Sequence, residues 1–340
     1  MVITLSDYPD VVNNINVEWN KATTEFDVVR DKLAVVKHGD TRYITDHSHF
    51  SSVQTARRRT DGGNAQKTDV KQGYRVTLTK DEIGMEIDVT KRMRRYDGMG
   101  AIMNEVRKIR DGAQRRCELD ITSLVNNAWS SSYTNLDGES VTTTAPDGNP
   151  LMYSAHTSRG SSNTYNNQVG SVGATHDPFS PTVLEALEEA GNRLNDEADG
   201  RNVPTQFDTI ITGRHAPTVN AVERTLNSLM YPGSSTADTN RANNNLKGRY
   251  QHLILPFLDI DPATEGVDSN KYRYTFLANL RNEDRNGFYM TFSQDVMLDE
   301  GESQITESGI WQWVVTADYA FGLTASNFVV GTKGDGTVIA

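Results

Sequence analysis

Residues 97–129 limit what this chain can become more than any other stretch. Ile102, Val106, Ile109, Ala113, Cys117, Ile121, Leu124 and Ala128 recur there every three or four positions. That spacing is the apolar stripe of an amphipathic helix. Glu105, Arg107, Lys108, Arg110, Asp111, Arg115, Arg116 and Glu118 occupy the other side. Asp97 suits an N-cap, so the pattern predicts one continuous helix over 97–128 with Cys117 buried. At roughly 1.5 Å per residue it is about 50 Å long, and only Gly112 interrupts it. The stripe keeps no strict heptad, which argues against a coiled coil. A helix this long then needs a β-rich body around it and serves as its axle.

The flanking sequence supplies such a body. Ahead of the helix, residues 74–80 alternate with Val76 and Leu78 on one face, and residues 84–90 alternate with Met85, Ile87 and Val89; both read as strands. Residues 1–40, with a weakly amphipathic stretch around 17–36, read as an arm that packs on something larger. Residues 39–73 are polar and include Arg57-Arg58-Arg59, followed by Asp61-Gly62-Gly63-Asn64. Too few large apolar side chains are present to bury, so an extended, mobile excursion is expected. Residues 1–40 and about 50–73 are expected to be poorly ordered in the isolated chain.

Behind the helix, residues 130–178 are rich in Ser, Thr, Asn and Gly and are read as an irregular but ordered crossing anchored at Leu151, Met152 and Tyr153. Ser180-Pro181, an N-cap followed by Pro at the first helical position, opens a second lobe. Its first helix carries Leu184, Leu187 and Leu194 and is expected to stop near Gly200. A strand at 207–213 and a helix from Pro217, with Val219, Val222, Leu226 and Leu229 on one side, follow. After a polar loop at 232–249, strands are expected at 252–260, 272–280 and 287–293. The last, at 309–325, sets Trp311, Trp313, Val315 and Ala317 on one face and is long enough to return beside the first lobe. There is no internal repeat.

Charge and motifs narrow the function. A chain of 340 residues can bury a real core. Its net charge of −11 speaks against a dedicated nucleic-acid binder. The charge is uneven: from Arg57 to Arg116 there are 16 Lys/Arg against 9 Asp/Glu, a local +7, which leaves −18 elsewhere. Such asymmetry suits a polyanion site or two faces of one protein that meet in an assembly. One cysteine excludes a disulfide framework and points to a reducing compartment. With no apolar run near eighteen residues and no basic, apolar N-terminus, neither a membrane span nor a secretion signal is expected. His47 and His49 have no third metal ligand at a useful spacing. His156 and His176 show no partnering carboxylate cluster, and His215 reads as a helix-start hydrogen-bonding group. No GxGxxG, Walker loop, GxSxG or HExxH occurs. Trp311 and Trp313 are compatible with a sugar platform, but two apart on an apolar strand they suit a core better. The residues therefore nominate no catalytic group, no cofactor and no metal site.

Four stretches together resemble the major capsid protein of a tailed bacteriophage, with the HK97-type shell fold. Ile-Gly-Met-Glu-Ile-Asp-Val-Thr at 83–90, Arg-Tyr-Asp-Gly at 95–98 and the long helix resemble that family's extended loop and spine helix. Asp147-Gly148, then Asn-Pro-Leu-Met-Tyr-Ser-Ala-His at 149–156 with Asn163 and Asn166, is similar to its crossing, with Tyr153 where Phe is common. Residues 184–227, with Asp199-Gly200-Arg201 and Val203-Pro204, match its axial-domain order, and the Trp-bearing strand matches the closing strand. The resemblance implies an α+β fold divided into an N-terminal arm (1–40), an extended loop and hairpin (41–95), a peripheral domain with spine helix and crossing (96–178), an axial domain (179–300) and a returning strand (301–340). It implies a non-enzymatic subunit, made in the host cytoplasm and carried in the virion. Its copies would assemble as hexamers and pentamers of an icosahedral shell enclosing double-stranded DNA without reading its sequence. A separate scaffold, a portal and decoration proteins are the further partners implied; no membrane is. Arg57, Arg58, Arg59, Arg75, Lys91, Arg92, Arg94 and Arg95 are the expected inter-subunit contacts. An encapsulin-like protein compartment, a cytoplasmic α/β enzyme and a carbohydrate-binding module are the alternatives.

Overall fold

The computed structural model describes residues 3–4, 24–50, 58–59, 64, 70–90, 92, 98–169, 174–202, 205–229, 243–305 and 310–338. In chain order the elements are β1 (Ile3–Thr4), α1 (Arg30–Leu33), β2 (Val35–Lys37), β3 (Ile44–Phe50), β4 (Gln72–Thr79), β5 (Asp81–Val89) and α2 (Gly98–Asn126). The crossing holds β6 (Ser132–Thr134), β7 (Ser140–Thr142), β8 (His156–Thr157) and β9 (Thr164–Tyr165). Then come α3 (Pro181–Asn192), β10 (Thr209–Thr212), α4 (Ala216–Asn227), β11 (Gln251–Ile254), β12 (Thr275–Ala278), β13 (Phe288–Ile305), β14 (Trp311–Leu323) and β15 (Val329–Thr332).

The long helix forms as its stripe dictates: α2 is 29 residues, about 43 Å at roughly 1.5 Å each. It lies on a five-stranded sheet of order β1-β13-β14-β5, with β2 joined to β13. Ile109, Ala113, Cys117, Ile121, Leu124 and Ala128 are all buried there. Asp97 and the side chains of Ile102 and Val106 lie outside the described residues. Gly112 is explained by its neighbour: a Cβ there would stand 2.9 Å from Met85 Sδ, so the missing side chain lets β5 lie close on the helix. Burial also pushes the Cys117 thiol up to about 12, which leaves it protonated and unreactive.

The polar face departs from the reading. From Cys117 to Ala128 the helix is buried on every side, including Glu118, Asp120, Thr122, Ser123 and Asn126. Val29 and Leu33 join the core that carries the stripe, while Leu119 packs with Phe257 and Ile260. A helix covered all round must pair its polar side chains internally. Asp120 accepts from Arg116 Nε (3.0 Å) and the Tyr319 hydroxyl (2.5 Å), and Asn126 donates to the Ile260 carbonyl.

Three further expectations change. Residues 29–37, read as arm, are built into the fold: β2 pairs in parallel with β13 at Tyr289–Thr291. Residues 44–50, read as mobile, form β3 against β4, with Thr45↔Leu78 and His47↔Val76 in register. The strand expected at 287–293 runs on to Ile305, because register shifts after Phe292, Gln294 and Asp299 break its alternation and hide it from a period-two search.

A second sheet, β11-β10-β12-β15, carries α3 and α4. Ser180 caps α3 by accepting from Val183 N at 3.2 Å, with Pro181 next. The helix ends at Asn192, short of Gly200, where Gly191 packs so tightly on Phe207 that a Cβ would sit 1.8 Å from its ring. In α4, Val222 and Leu226 are buried, whereas Leu229 lies beyond the helix and is exposed. The strand at 288–305 belongs with β14, and residues 329–332 return to the β10 sheet, so the chain crosses between the two sheets more often than its order suggests.

Candidate inter-subunit surfaces

The hairpin β3–β4 rests on the five-stranded sheet through Leu78, which clusters with Tyr289 and Ala320 beside Val35 and Val76. Leu78 fills the space over Gly322, and His47 lies 4.0 Å from the Tyr289 ring. His47 is therefore a packing residue rather than a free surface histidine. Lys80, at the hairpin's foot, is buried and donates to the Asp40 carbonyl, a role the sequence did not suggest.

The predicted basic contacts divide. Arg58, Arg59 and Arg92 are exposed. Arg75 is also exposed but is engaged within the hairpin: its Nε (3.1 Å) and second guanidinium nitrogen (2.5 Å) clamp Asp46, which also accepts from Thr77 at 2.8 Å. The Arg75 hydrogen bond holds Asp46 below the usual carboxylate range. Arg57, Lys91, Arg94 and Arg95 lie outside the described residues.

Within the chain, one carboxylate fastens residues 29–30 to the long helix. Glu118 Oε2 accepts from Val29 N (3.0 Å) and Arg30 N (3.2 Å), the free amides at the start of α1. Arg30 also reaches Gln114 at 2.6 Å and lies over the Phe292 ring. Burial pushes Glu118 up to about 7 despite those donors and the Arg30 charge. A native pKa above the ordinary 4.5 means that the folded chain holds the extra proton between the two values. Stability from this group is full below about pH 4.5 and falls as pH rises towards 7, by on the order of 3 kcal/mol at most. Glu118→Gln should flatten that stretch of the urea-midpoint profile; an unchanged slope would assign it elsewhere.

The crossing is held by a second buried pair. His156 Nδ1 lies 2.9 Å from Asp147 Oδ2 and its Nε2 3.1 Å from the Leu151 carbonyl. Thr157 N and Asn149 also donate to Asp147. Both members are almost fully buried, so His156 does have the carboxylate partner that the sequence did not reveal. Asn167, one residue past the Asn166 of the motif, donates to the Leu151 carbonyl at 2.6 Å and accepts from Tyr153 N at 2.9 Å. Leu151 and Met152 are buried as expected, and Tyr153 is at the surface.

Chemistry is less well served. Thr212 Oγ1, His252 Nε2, His252 Nδ1 and Glu223 Oε1 form a hydroxyl–imidazole–carboxylate array with 2.8 Å at each link. Thr212 is fully buried, so the array ties β10, β11 and α4 together and offers its hydroxyl to no substrate. His215 bonds Thr218 at 2.9 Å and packs at a tilt against the Tyr272 ring. Trp313 is fully buried, which removes the sugar-platform reading. Among the described residues no group of three or more His, Cys, Asp or Glu is placed to hold a metal, and no helix is long and apolar enough to cross a membrane.

No protein-family model and no curated protein sequence matches this chain. Solved structures do. A chain from Gordonia phage Cozz superposes with a TM-score of 0.50 over 89% of this chain and 85% of its own, at 9% identity. The capsid of Myoviridae phage XM1 gives 0.50 over 91% and 93%, at 12% identity. The chain has the phage capsid fold. The capsid of cyanophage P-SCSP1u also gives 0.50, over 91% and 88%, at 10% identity. The chain itself contains a hairpin, a long helix on a sheet, an irregular crossing, a second sheet with two helices and a strand that returns to it.

Proposed function

We propose that this chain is the structural subunit of a tailed-phage head, assembling with copies of itself into an icosahedral shell around double-stranded DNA. The observation that carries the reading is the likeness to phage capsid chains, which covers about nine-tenths of this chain. The three structures described above come from phages, which does not favour an encapsulin-like compartment. The peripheral domain is the five-stranded sheet with α2, and the axial domain is the four-stranded sheet with α3 and α4. A scaffold, a portal and decoration proteins are further partners in the proposal, and synthesis is placed in the host cytoplasm. Electron microscopy of the purified chain, alone and with a co-expressed scaffold, tests it: icosahedral heads containing nucleic acid are expected, and a stable monomer under both conditions overturns it.

The basic stretch enters through its charge. Arg58, Arg59 and Arg92 would meet acidic surface on a neighbour, whereas Arg75 is committed to Asp46. One exposed pair contributes about 0–1 kcal/mol, so the effect lies in steering incoming subunits. The Debye length shrinks from roughly 10 Å at 0.1 M salt to about 3 Å at 1 M. Assembly of fresh subunits should therefore slow with salt while finished shells barely respond. Replacing Arg57, Arg58 and Arg59 together with Ser should mimic high salt; light scattering that is flat in salt and indifferent to the triple change would end the steering role.

A further inference from the structure

Among the described residues, two edges of the five-stranded sheet are open, and they carry opposite charge. β5 closes one side: it pairs with β14 from Tyr319↔Asp81 to Trp311↔Val89, and no further strand joins it. Asp81, Glu82, Glu86 and Asp88 are exposed along this edge. None of the four has an ion-pair partner among the described residues. Glu82, Glu86 and Asp88 alternate with Ile83, Met85 and Ile87, so they stand on the face away from α2.

At the other side of the sheet, β2 is bonded to β13 along one edge only. Beside it runs a cleft of about 380 Å³, walled by residues 34–38 and by Leu280, Arg281, Glu283 and Asn286. No β13 residue lines the cleft, so it follows the unpaired edge of β2. Asp31 is answered by Arg30 and His38 by Asp295. The lining therefore sets three cations, Lys32, Lys37 and Arg281, against two carboxylates, Asp31 and Glu283, a net positive cleft on a chain of net charge −11.

We propose that the cleft along β2 receives the acidic edge strand β5 of a second copy of this chain, joining the sheets of neighbouring subunits edge to edge. An unpaired strand edge is a template for another strand, and backbone hydrogen bonds supply the attraction in such strand addition. Charge selects the pairing. β5 against β5 sets carboxylates opposite carboxylates, and β2 against β2 sets ammonium groups together, both unfavourable. Only β5 in the β2 cleft brings opposite charges together. That contact is head-to-tail and repeats from copy to copy, closing into rings where the rotation allows. The inference rests on the self-assembly reading, but its failure is separable from that reading's.

The test uses the full-length chain. Lys32→Glu with Arg281→Glu should weaken self-association about tenfold or more, and so should Glu86→Lys with Asp88→Lys. Mixing the two double variants restores both complementary contacts, acidic cleft with basic edge and basic cleft with acidic edge, and should recover association. Circular dichroism melts should match the parent in each case. Independently, a labelled peptide of residues 80–90 should bind the parent subunit by fluorescence anisotropy and lose binding when its backbone amides are methylated. Variants that associate like the parent, or a mixture that fails to recover, would show the charged edge to be only a guard against aggregation. Shells that form while the peptide does not bind would overturn the inference and leave the shell reading intact. Peptide binding by a chain that forms no shell under any condition would do the reverse.

Discussion

Ile121→Asp should leave no stably folded subunit. Ile121 is fully buried in the middle of the α2 stripe, in the cluster that also holds Trp313, Val315 and Phe292. A carboxylate there would sit inside an apolar cluster, and burying an unpaired charge costs several kcal/mol beyond the lost apolar contact. A domain's whole stability is about 5–15 kcal/mol, so this one change consumes much of it. Ile109→Asp, earlier in the same stripe and only 5% exposed, should be nearly as damaging. Asn104→Asp on the exposed side of the same helix should change stability by no more than about 0.5 kcal/mol. Thermal melts of the three variants check the orientation of the helix. An Ile121→Asp chain that melts like the parent would mean that the stripe does not face the sheet.

That orientation was legible because nothing local competes with it. Six of the eight predicted stripe positions have described side chains, and all six are buried. The same reading misplaced Glu118, and the cause lies outside the helix. A charged residue on the face away from a stripe normally meets water, but here residues 29–34 fold back over it from almost ninety positions away. Nothing in the helix's own periodicity encodes that cover. β13 was shortened for the opposite reason: its local signal is present, but the bulges move successive side chains out of alternation, and only pairing with β14 carries the strand through. β3 was lost because a strand half exposed on a two-stranded hairpin needs few large apolar residues, and Tyr289 and Ala320 supply the surface that its partner β4 covers.

Surfaces for other copies were less legible than the core. The arithmetic that singled out residues 57–116 treats every charge as available, and folding removes several of them. Arg75 closes on Asp46, Arg116 bridges Asp120 and Asp137, and Lys80 is buried against a backbone carbonyl. Within the same stretch, Asp81, Glu82, Glu86 and Asp88 gather on one exposed edge, so a region of net positive sequence charge contains an acidic surface. Net charge along a chain becomes a statement about contacts only after the pairs internal to the subunit are subtracted.

His156→Ala should cost about 3–5 kcal/mol, because it leaves the Asp147 carboxylate buried without its cation-capable partner. Both ring nitrogens of His156 face oxygens, Asp147 Oδ2 and the Leu151 carbonyl. The truncation would therefore also orphan the Leu151 carbonyl on that side, although Asn167 still reaches it. Burial alone would raise Asp147, but the His156 hydrogen bond and charge, with the Asn149 donors, overcome it and hold the carboxyl at about 2. The sign follows from the direction: a native pKa below the unfolded 3.8 gives stability that is present above about pH 4 and is lost as pH falls towards 2. In the parent, the crossing should loosen across that window, visible as faster amide exchange over residues 147–157. In His156→Ala the same window should contribute less, since the partner that depresses Asp147 is gone. Asp147→Asn combined with His156→Gln keeps donors and acceptors without charge and should recover part of the lost stability, as uncharged replacements of buried pairs can do. A single variant that melts like the parent, or a double variant no better than the single one, would show that the pair does not hold the crossing in place.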